Sequence, residues 1–266
     1  MSSCNSINYK NNFYNSWSNI PYPGEERVYH GIDPNAGSWP LVYFKRNEKG
    51  DFVDPNGKEI AFDVANPAYY NFKLQLVDVM EVNENLTPKQ IAMAKFWGTG
   101  VPAYQLGTIV MSLIKTYNLS PARSARLLSV IGGTQNDAFI ICWYYKYLWD
   151  YPRPVQLNPY LQTVIPTPKF PTYVSGHSVV SGATCEVLSY YFPAESEKLS
   201  EIAKQASTSR LYAGVHFRCD CVEGLKLGKQ IGQLIIKYLE NQKDCDDTKV
   251  DVPIQEFLDA PIMPIY

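Results

Sequence analysis

Polar and apolar positions follow two regimes along the chain. Up to about residue 70 the apolar residues come in short strand-like runs, Leu41-Val42-Tyr43-Phe44 and Ile60-Ala61-Phe62, separated by the turn signals Asn47-Glu48-Lys49-Gly50 and Asp54-Pro55-Asn56-Gly57. That pattern predicts one or two hairpins in an otherwise irregular segment. After Asn66-Pro67 the spacing becomes helical. Thr87-Pro88-Lys89-Gln90 reads as a helix start, with a hydroxyl N-cap, proline at the first position and glutamine at the third. This helix should run to about Phe96 and stop at Gly98-Thr99-Gly100 and Pro102. Further helices are predicted near 103–117, 120–131, 134–150, 177–191, 195–214 and 221–241, two of them opened by Ser120-Pro121 and Pro193-Ala194-Glu195. Gly224, Gly228 and Gly232 recur every four residues in the last of these, which implies that a neighbouring backbone packs unusually close.

No repeat and no low-complexity segment interrupts this order, and no linker divides it. The expectation is therefore a mainly α fold: a helical core over 86–242, an irregular, partly β extension over 1–85 packed on it, and a tail over 243–266. The tail is acidic, then apolar from Ala260 to Tyr266, which suits packing on the body or, in a homo-oligomer, on a second subunit.

Composition narrows the function classes. Among 266 residues, 45% are apolar and 19% charged, an ordinary globular balance. A net charge of −2 argues against a nucleic-acid partner, because phosphate-backbone affinity needs a basic surface. No apolar stretch is long enough for a membrane span; the strongest, Phe139 to Trp149, contains Lys146. The polar N-terminus lacks the order of a signal peptide, and the six cysteines (4, 142, 185, 219, 221 and 245) are scattered, so a reduced, cytoplasmic protein is expected.

The chemistry lies in three polar stretches. The first carries Lys146 and then Arg153-Pro154, where flanking prolines set the direction of the guanidinium. Ammonium and guanidinium are complementary anion ligands, a point charge beside a planar fork. The second is Ser175-Gly176-His177, where a proline-rich loop turns into a helix whose free amides favour an anion. The third is Ser209-Arg210, followed by His216 and Asp220; a carboxylate on one imidazole nitrogen presents the other outward. Read singly, each stretch also has a plain explanation: Ser175 as a helix cap, Lys146 as a solvated helix end, His216 as a structural histidine. Together they supply the non-overlapping parts of one site for a tetrahedral oxyanion, serving a small-molecule substrate.

These residues resemble the superfamily that joins type 2 phosphatidic acid phosphatases, bacterial acid phosphatases and vanadium haloperoxidases. Its pattern, Lys-x6-Arg-Pro, Pro-Ser-Gly-His and Ser-Arg-x5-His-x3-Asp, is matched by Lys146, Arg153, Pro154, Ser175, Gly176, His177, Ser209, Arg210, His216 and Asp220, with Val174 where proline is usual. The likeness covers roughly 135–232 and, toward the soluble haloperoxidase branch, reaches back to Phe96-Trp97. It implies the helical-bundle fold of that superfamily. It also implies that His216 is the phosphatase nucleophile or the covalent vanadate ligand, with Asp220 orienting it. Lys146, Arg153, Arg210, Ser175 and the Gly176 amide would hold oxygens, and His177 would act as acid or base.

The resemblance leaves two activities open: a peroxidase with vanadate as cofactor, oxidising halide, or a phosphatase without a cofactor that forms a phosphohistidine. Trp143 and Phe170 match aromatics on the halide side of haloperoxidase sites, which tips the reading to the peroxidase, although both also suit plain packing. Cys219 and Cys221 beside Asp220 count against it if they are exposed to oxidant. Two further readings are a zinc site from His216, Cys219 and Cys221, and a non-catalytic oxyanion-binding protein.

Overall fold

The Thr87 hydroxyl accepts the Gln90 N–H while Gln90 Oε1 accepts the Thr87 N–H, at 3.3 and 2.8 Å, and this reciprocal cap opens helix α2 (Pro88–Gly98). The computed structural model describes residues 15–266, so the N-terminal Met and Cys4 lie outside the described residues. Its other helices are α1 (Phe72–Glu84), α3 (Pro102–Thr116), α4 (Pro121–Trp149), the short α5 (Pro154–Leu157), α6 (Gly176–Tyr191), α7 (Ser196–Tyr212) and α8 (Arg218–Leu239). Among the described residues no helix is long and apolar enough to cross a membrane.

Helix α6 is the centre of the bundle and packs on α8, α7 and α4. The glycine stripe of α8 lies against it. A Cβ on Gly228 would come within 2.3 Å of the Val179 carbonyl oxygen, and one on Gly232 within 2.7 Å of Glu186 Cβ. The two backbones approach this closely only because the side chain is absent. One hydrophobic core joins residues of α3, α4, α6, α7 and α8 with Phe44, Phe52 and Phe62 of the N-terminal segment and Ala260 and Ile262 of the tail.

Several elements differ from the sequence reading, and α1 and α5 are additional to it. The segments expected at 120–131 and 134–150 form one helix, α4, running through Gly132-Gly133. Gly133 is there for a close contact, since a Cβ would meet the Tyr43 ring at 2.7 Å. Leu41–Phe44 is not a strand: the amides of Val42, Tyr43 and Phe44 donate to the buried carboxylate of Asp137 on α4, at 2.7, 2.8 and 3.1 Å. The hairpin forms one step later, β1 (Lys45–Arg46) against β2 (Phe52–Val53), and of Ile60–Phe62 the Ile60 N–H donates to the Phe52 carbonyl at 2.9 Å beside the Val53–Glu59 bridge. Helix α8 begins at Arg218 rather than 221, because the Asp220 carboxylate accepts the Phe217 N–H at 3.0 Å and starts it earlier.

The tail runs back over the bundle. Ile254 N–H donates to the Tyr191 carbonyl at 2.8 Å, Asp251 is paired with Arg126 at 2.6 Å, and Ala260 N–H donates to buried Glu195 at 2.7 Å.

Candidate active site

Five helix ends meet at one place. Lys146 is in the last turn of α4, Arg153 is the residue before α5, Ser175 caps α6, and Arg210 is in the last turn of α7. His216 lies between α7 and α8, with Asp220 in the first turn of α8. Ser175 N–H donates to the Asp220 carbonyl at 3.0 Å, locking the start of α6 to the start of α8. The Ser175 hydroxyl accepts the Ser178 N–H, so the amides of Gly176 and His177 sit ahead of any intrahelical acceptor and face the cluster with the positive end of the helix.

Each cation is held by backbone carbonyls. Lys146 Nζ donates to Pro171 and Thr172, both at 2.8 Å. Arg153 Nε donates to Phe170 at 2.9 Å and its Nη1 to Val215 at 2.8 Å. Arg210 Nη2 donates to Ala94 of α2 at 2.8 Å, and its Nε to the Ser209 hydroxyl at 2.9 Å. The structure thus gathers Lys146, Arg153, Arg210, Ser175, Gly176, His177, His216 and Asp220 in one buried cluster, with Ser209 supporting Arg210.

His216 is oriented through one ring nitrogen. Its Nδ1 lies 2.8 Å from Asp220 Oδ2 and 3.1 Å from the Thr172 hydroxyl. Its Nε2 lies 3.0 Å from Arg153 Nη1, which donates to it. Burial, reinforced by Arg153 and Lys146, holds the His216 pKa well below the ordinary value, so the ring is neutral with its lone pair on Nε2. His177 is neutral for the same reasons, burial first and Arg210 next; its Nε2 lies 2.8 Å from the Trp97 carbonyl, which takes the N–H and leaves Nδ1 as acceptor. Burial also pulls Lys146 down to about 7 and raises Asp220 to about 6.

One residue that the sequence does not single out belongs to this arrangement, and a second, Asp137, holds the N-terminal segment away from it. Thr172 donates its hydroxyl to Asp220 Oδ2 and lends its carbonyl to Lys146, so one residue ties both ends of the cluster together. Its only sequence signal was its place in the run Phe170-Pro171-Thr172-Tyr173. Asp137, which anchors residues 42–44, stood in an apolar helix with nothing to mark its partners.

The cluster opens into a cavity of about 530 Å³. His177, Arg210 and His216 line its floor, and Phe139, Trp143 and Phe170 part of its wall. The Trp143 and Phe170 rings lie 5.0 Å apart, with Lys146 Nζ 5.2 Å from the Phe170 ring centre. Cys219 and Cys221 are buried, at 4% and 6% exposure. Burial raises both thiols, Cys221 to about 12, and they point to different partners, Cys219 to Asp220 and Cys221 to the Ser207 carbonyl. The zinc reading therefore fails: among the described residues no three His, Cys, Asp or Glu side chains come together to hold a metal.

An oxyanion fits what remains. Three buried cations face one carboxylate, and Arg153 Nη2 is buried with no hydrogen-bond partner among the described residues. Buried positive charge in such excess is costly until an anion offsets it. Phosphate or vanadate would take up the orphaned nitrogen, the Gly176 amide and the remaining positive field.

A model of the PAP2 superfamily matches residues 126–244. A bacterial vanadium-dependent iodoperoxidase structure superposes with a TM-score of 0.66 at 24% identity, over 83% of this chain and 60% of that one. A bacterial vanadium-dependent chloroperoxidase gives 0.65 at 15% identity, over 81% and 57%. A transmembrane PAP2-type phosphatidylglycerolphosphate phosphatase from Bacillus subtilis gives 0.51 at 19% identity, over 66% of this chain and 90% of that one. At these identities the likeness is one of fold, and the chain spans about 60% of the iodoperoxidase chain's length. No curated protein sequence matches the chain.

Proposed function

We propose, because a PAP2 superfamily model matches residues 126–244 and members of that superfamily are typically enzymes, that this chain is an oxyanion-site enzyme whose activity is vanadate-dependent oxidation of halide by hydrogen peroxide. The observation that carries the peroxidase branch is the aromatic wall, Trp143 against Phe170 at 5.0 Å, placed beside the cations at the inner end of the cavity. Such a wall strips water from a halide next to a positive field. The buried, protonated state of Cys219 and Cys221 removes the main objection, since a thiol of raised pKa reacts slowly with oxidant.

In this reading His216 Nε2 is the protein's attachment point for the oxyanion, and Asp220 fixes the ring through Nδ1. Lys146, Arg153 and Arg210 neutralise the oxygens, with Ser175 and the Gly176 amide completing the cradle. His177 accepts and returns a proton at Nδ1. When bound, vanadate supplies a Lewis-acidic centre that activates peroxide.

The second reading is hydrolysis of a phosphomonoester without a cofactor. It draws on the Nε2 lone pair of neutral His216, which has the right form to attack phosphorus. The P–N bond forms as the P–O bond to the alcohol breaks, and the departing oxygen takes the proton of the phosphate monoanion, relayed through Nδ1 of neutral His177. Water then cleaves the phosphohistidine.

Two assays separate these readings. Vanadate-loaded protein should brominate phenol red with peroxide and bromide, and the vanadate-free protein should leave nitrophenyl phosphate largely intact. The reverse result makes it a phosphatase. Binding of vanadate with neither activity makes it a non-catalytic oxyanion-binding protein.

A further inference from the structure

The cavity above the cluster has an outer wall built from outside the superfamily segment. Residues 31–39 form a strap across α4. Ile32 offers its carbonyl to Trp143 Nε1 at 3.2 Å and to the Tyr147 hydroxyl at 2.9 Å. Gly37 presses on α4 so tightly that a Cβ there would lie 2.6 Å from Tyr144 Cα. The strap is therefore fixed at Ile32 and at Gly37, and Ile32, Ala36 and Trp39 line the cavity. Val101 and Pro102, at the start of α3, line it as well.

This wall is apolar where nothing in the bundle requires it to be. Ile32 and Trp39 are about half exposed, at 51% and 50%, and Val101 at 59%. Apolar side chains gathered round a cavity mouth gain free energy when a ligand covers them. The polar groups of the lining fall into two sets. His177, Arg210 and His216 belong to the oxyanion site, while Asp33 and Asn136 are the polar groups apart from it. Beyond the oxyanion site the lining thus offers, among the described residues, no cation for a second anionic group, and Asp33 would repel one. A volume of about 530 Å³ falls within the range of pockets that enclose drug-sized molecules.

We propose that the cavity binds an uncharged, apolar organic substrate of about two-ring size, selected by the strap through Ile32 and Trp39 and held with its reacting atom toward His177 and His216. Its part in turnover rests on the peroxidase reading; its binding does not. In turnover a carbon of this molecule gives up a proton and forms a bond to the halogen. The halide's two electrons reduce the peroxide O–O bond, and with one further proton two waters result.

The test uses the whole protein with inorganic phosphate in the oxyanion site and 1-naphthol, uncharged at pH 7, as the probe. Naphthol should quench tryptophan fluorescence saturably, because Trp39 and Trp143 line the cavity, and naphthalene-1-sulfonate should bind at least fivefold more weakly. Ile32→Asp should weaken naphthol binding at least fivefold, read by the same quenching. Trp39→Ala, read by calorimetry, should do likewise. Phosphate affinity should stay within twofold in both, which shows that the fold is intact. Absence of saturable binding, or equal affinity in both variants and wild type, overturns the proposal. Naphthol binding with these losses but no bromination of any acceptor would defeat the peroxidase reading and leave the apolar site standing.

Discussion

Thr172 and Asp220 are joined by a hydrogen bond from the threonine hydroxyl to Oδ2, the same oxygen that receives His216 Nδ1 and the Phe217 amide. A carboxylate with three donors on one oxygen has little freedom to turn, and the imidazole it holds is fixed with it. The Thr172 bond also opposes the effect of burial on Asp220, which burial raises to about 6.

Thr172→Val removes that donor and leaves the shape nearly unchanged. The Asp220 pKa should rise further, so the acid limb of the pH–activity profile moves to higher pH, and Thr172→Ser should bring it back. The lost bond to a buried carboxylate should lower stability by about 1–3 kcal/mol, measured by urea unfolding. A profile unmoved in the valine variant would mean that Thr172 is packing alone.

Lys146 should make anion binding pH-dependent. Its pKa of about 7 in the folded protein means that the ammonium is lost as pH rises through neutrality. Phosphate affinity should therefore fall above pH 7, and binding at pH 8 should take up a proton, measured by calorimetry in buffers of different ionisation enthalpy. Lys146→Met should reduce that uptake, leaving only what phosphate itself contributes, and weaken binding at pH 6 by about tenfold or more. The sign for stability is opposite. Between about 7 and the ordinary 10.5 the unfolded chain binds a proton that the folded one does not, so this lysine makes the anion-free protein more stable as pH rises.

The α6–α8 contact gives a paired stability test. Gly228→Ala would drive a Cβ to 2.3 Å from the Val179 carbonyl oxygen and 2.9 Å from the Ala183 nitrogen, both backbone. It should cost about 1–3 kcal/mol and displace the Ser175–His177 end of α6. Gly132→Ala, in mid-α4 with nothing within 4 Å of the added Cβ, should stabilise the helix by about 0.5–1 kcal/mol. Equal effects in chemical denaturation would refute the close-packing account of the stripe.

Helix positions were legible where local chemistry decides them, as at Thr87–Gln90, and the α8 stripe was legible because glycine every fourth residue has few other uses. Leu41–Phe44 was misread because its amides are satisfied by Asp137, 93 to 95 residues away, a partner that local alternation cannot reveal. Gly132-Gly133 was read as a break because propensity counts the cost of glycine and not the Tyr43 ring lying on it. Helix α1, of weak apolar periodicity and capped by Asn71, was not separately distinguished. At the site the charged residues were visible because their types and spacings are unusual. Thr172 was not, because a threonine in a loop carries no signal until its neighbours are placed. Arg210 and His177 also lean on carbonyls of Ala94 and Trp97 in α2, support that only the fold supplies.

The central claim is that His216 and the surrounding cations form one oxyanion site, and calorimetric titration with orthovanadate tests it most directly. Wild-type protein should bind one equivalent, competitively with phosphate. His216→Ala and Arg153→Ala should each lose at least tenfold in affinity, because the first removes the attachment point and the second the guanidinium with the orphaned nitrogen. Unchanged affinity in both variants would contradict the account.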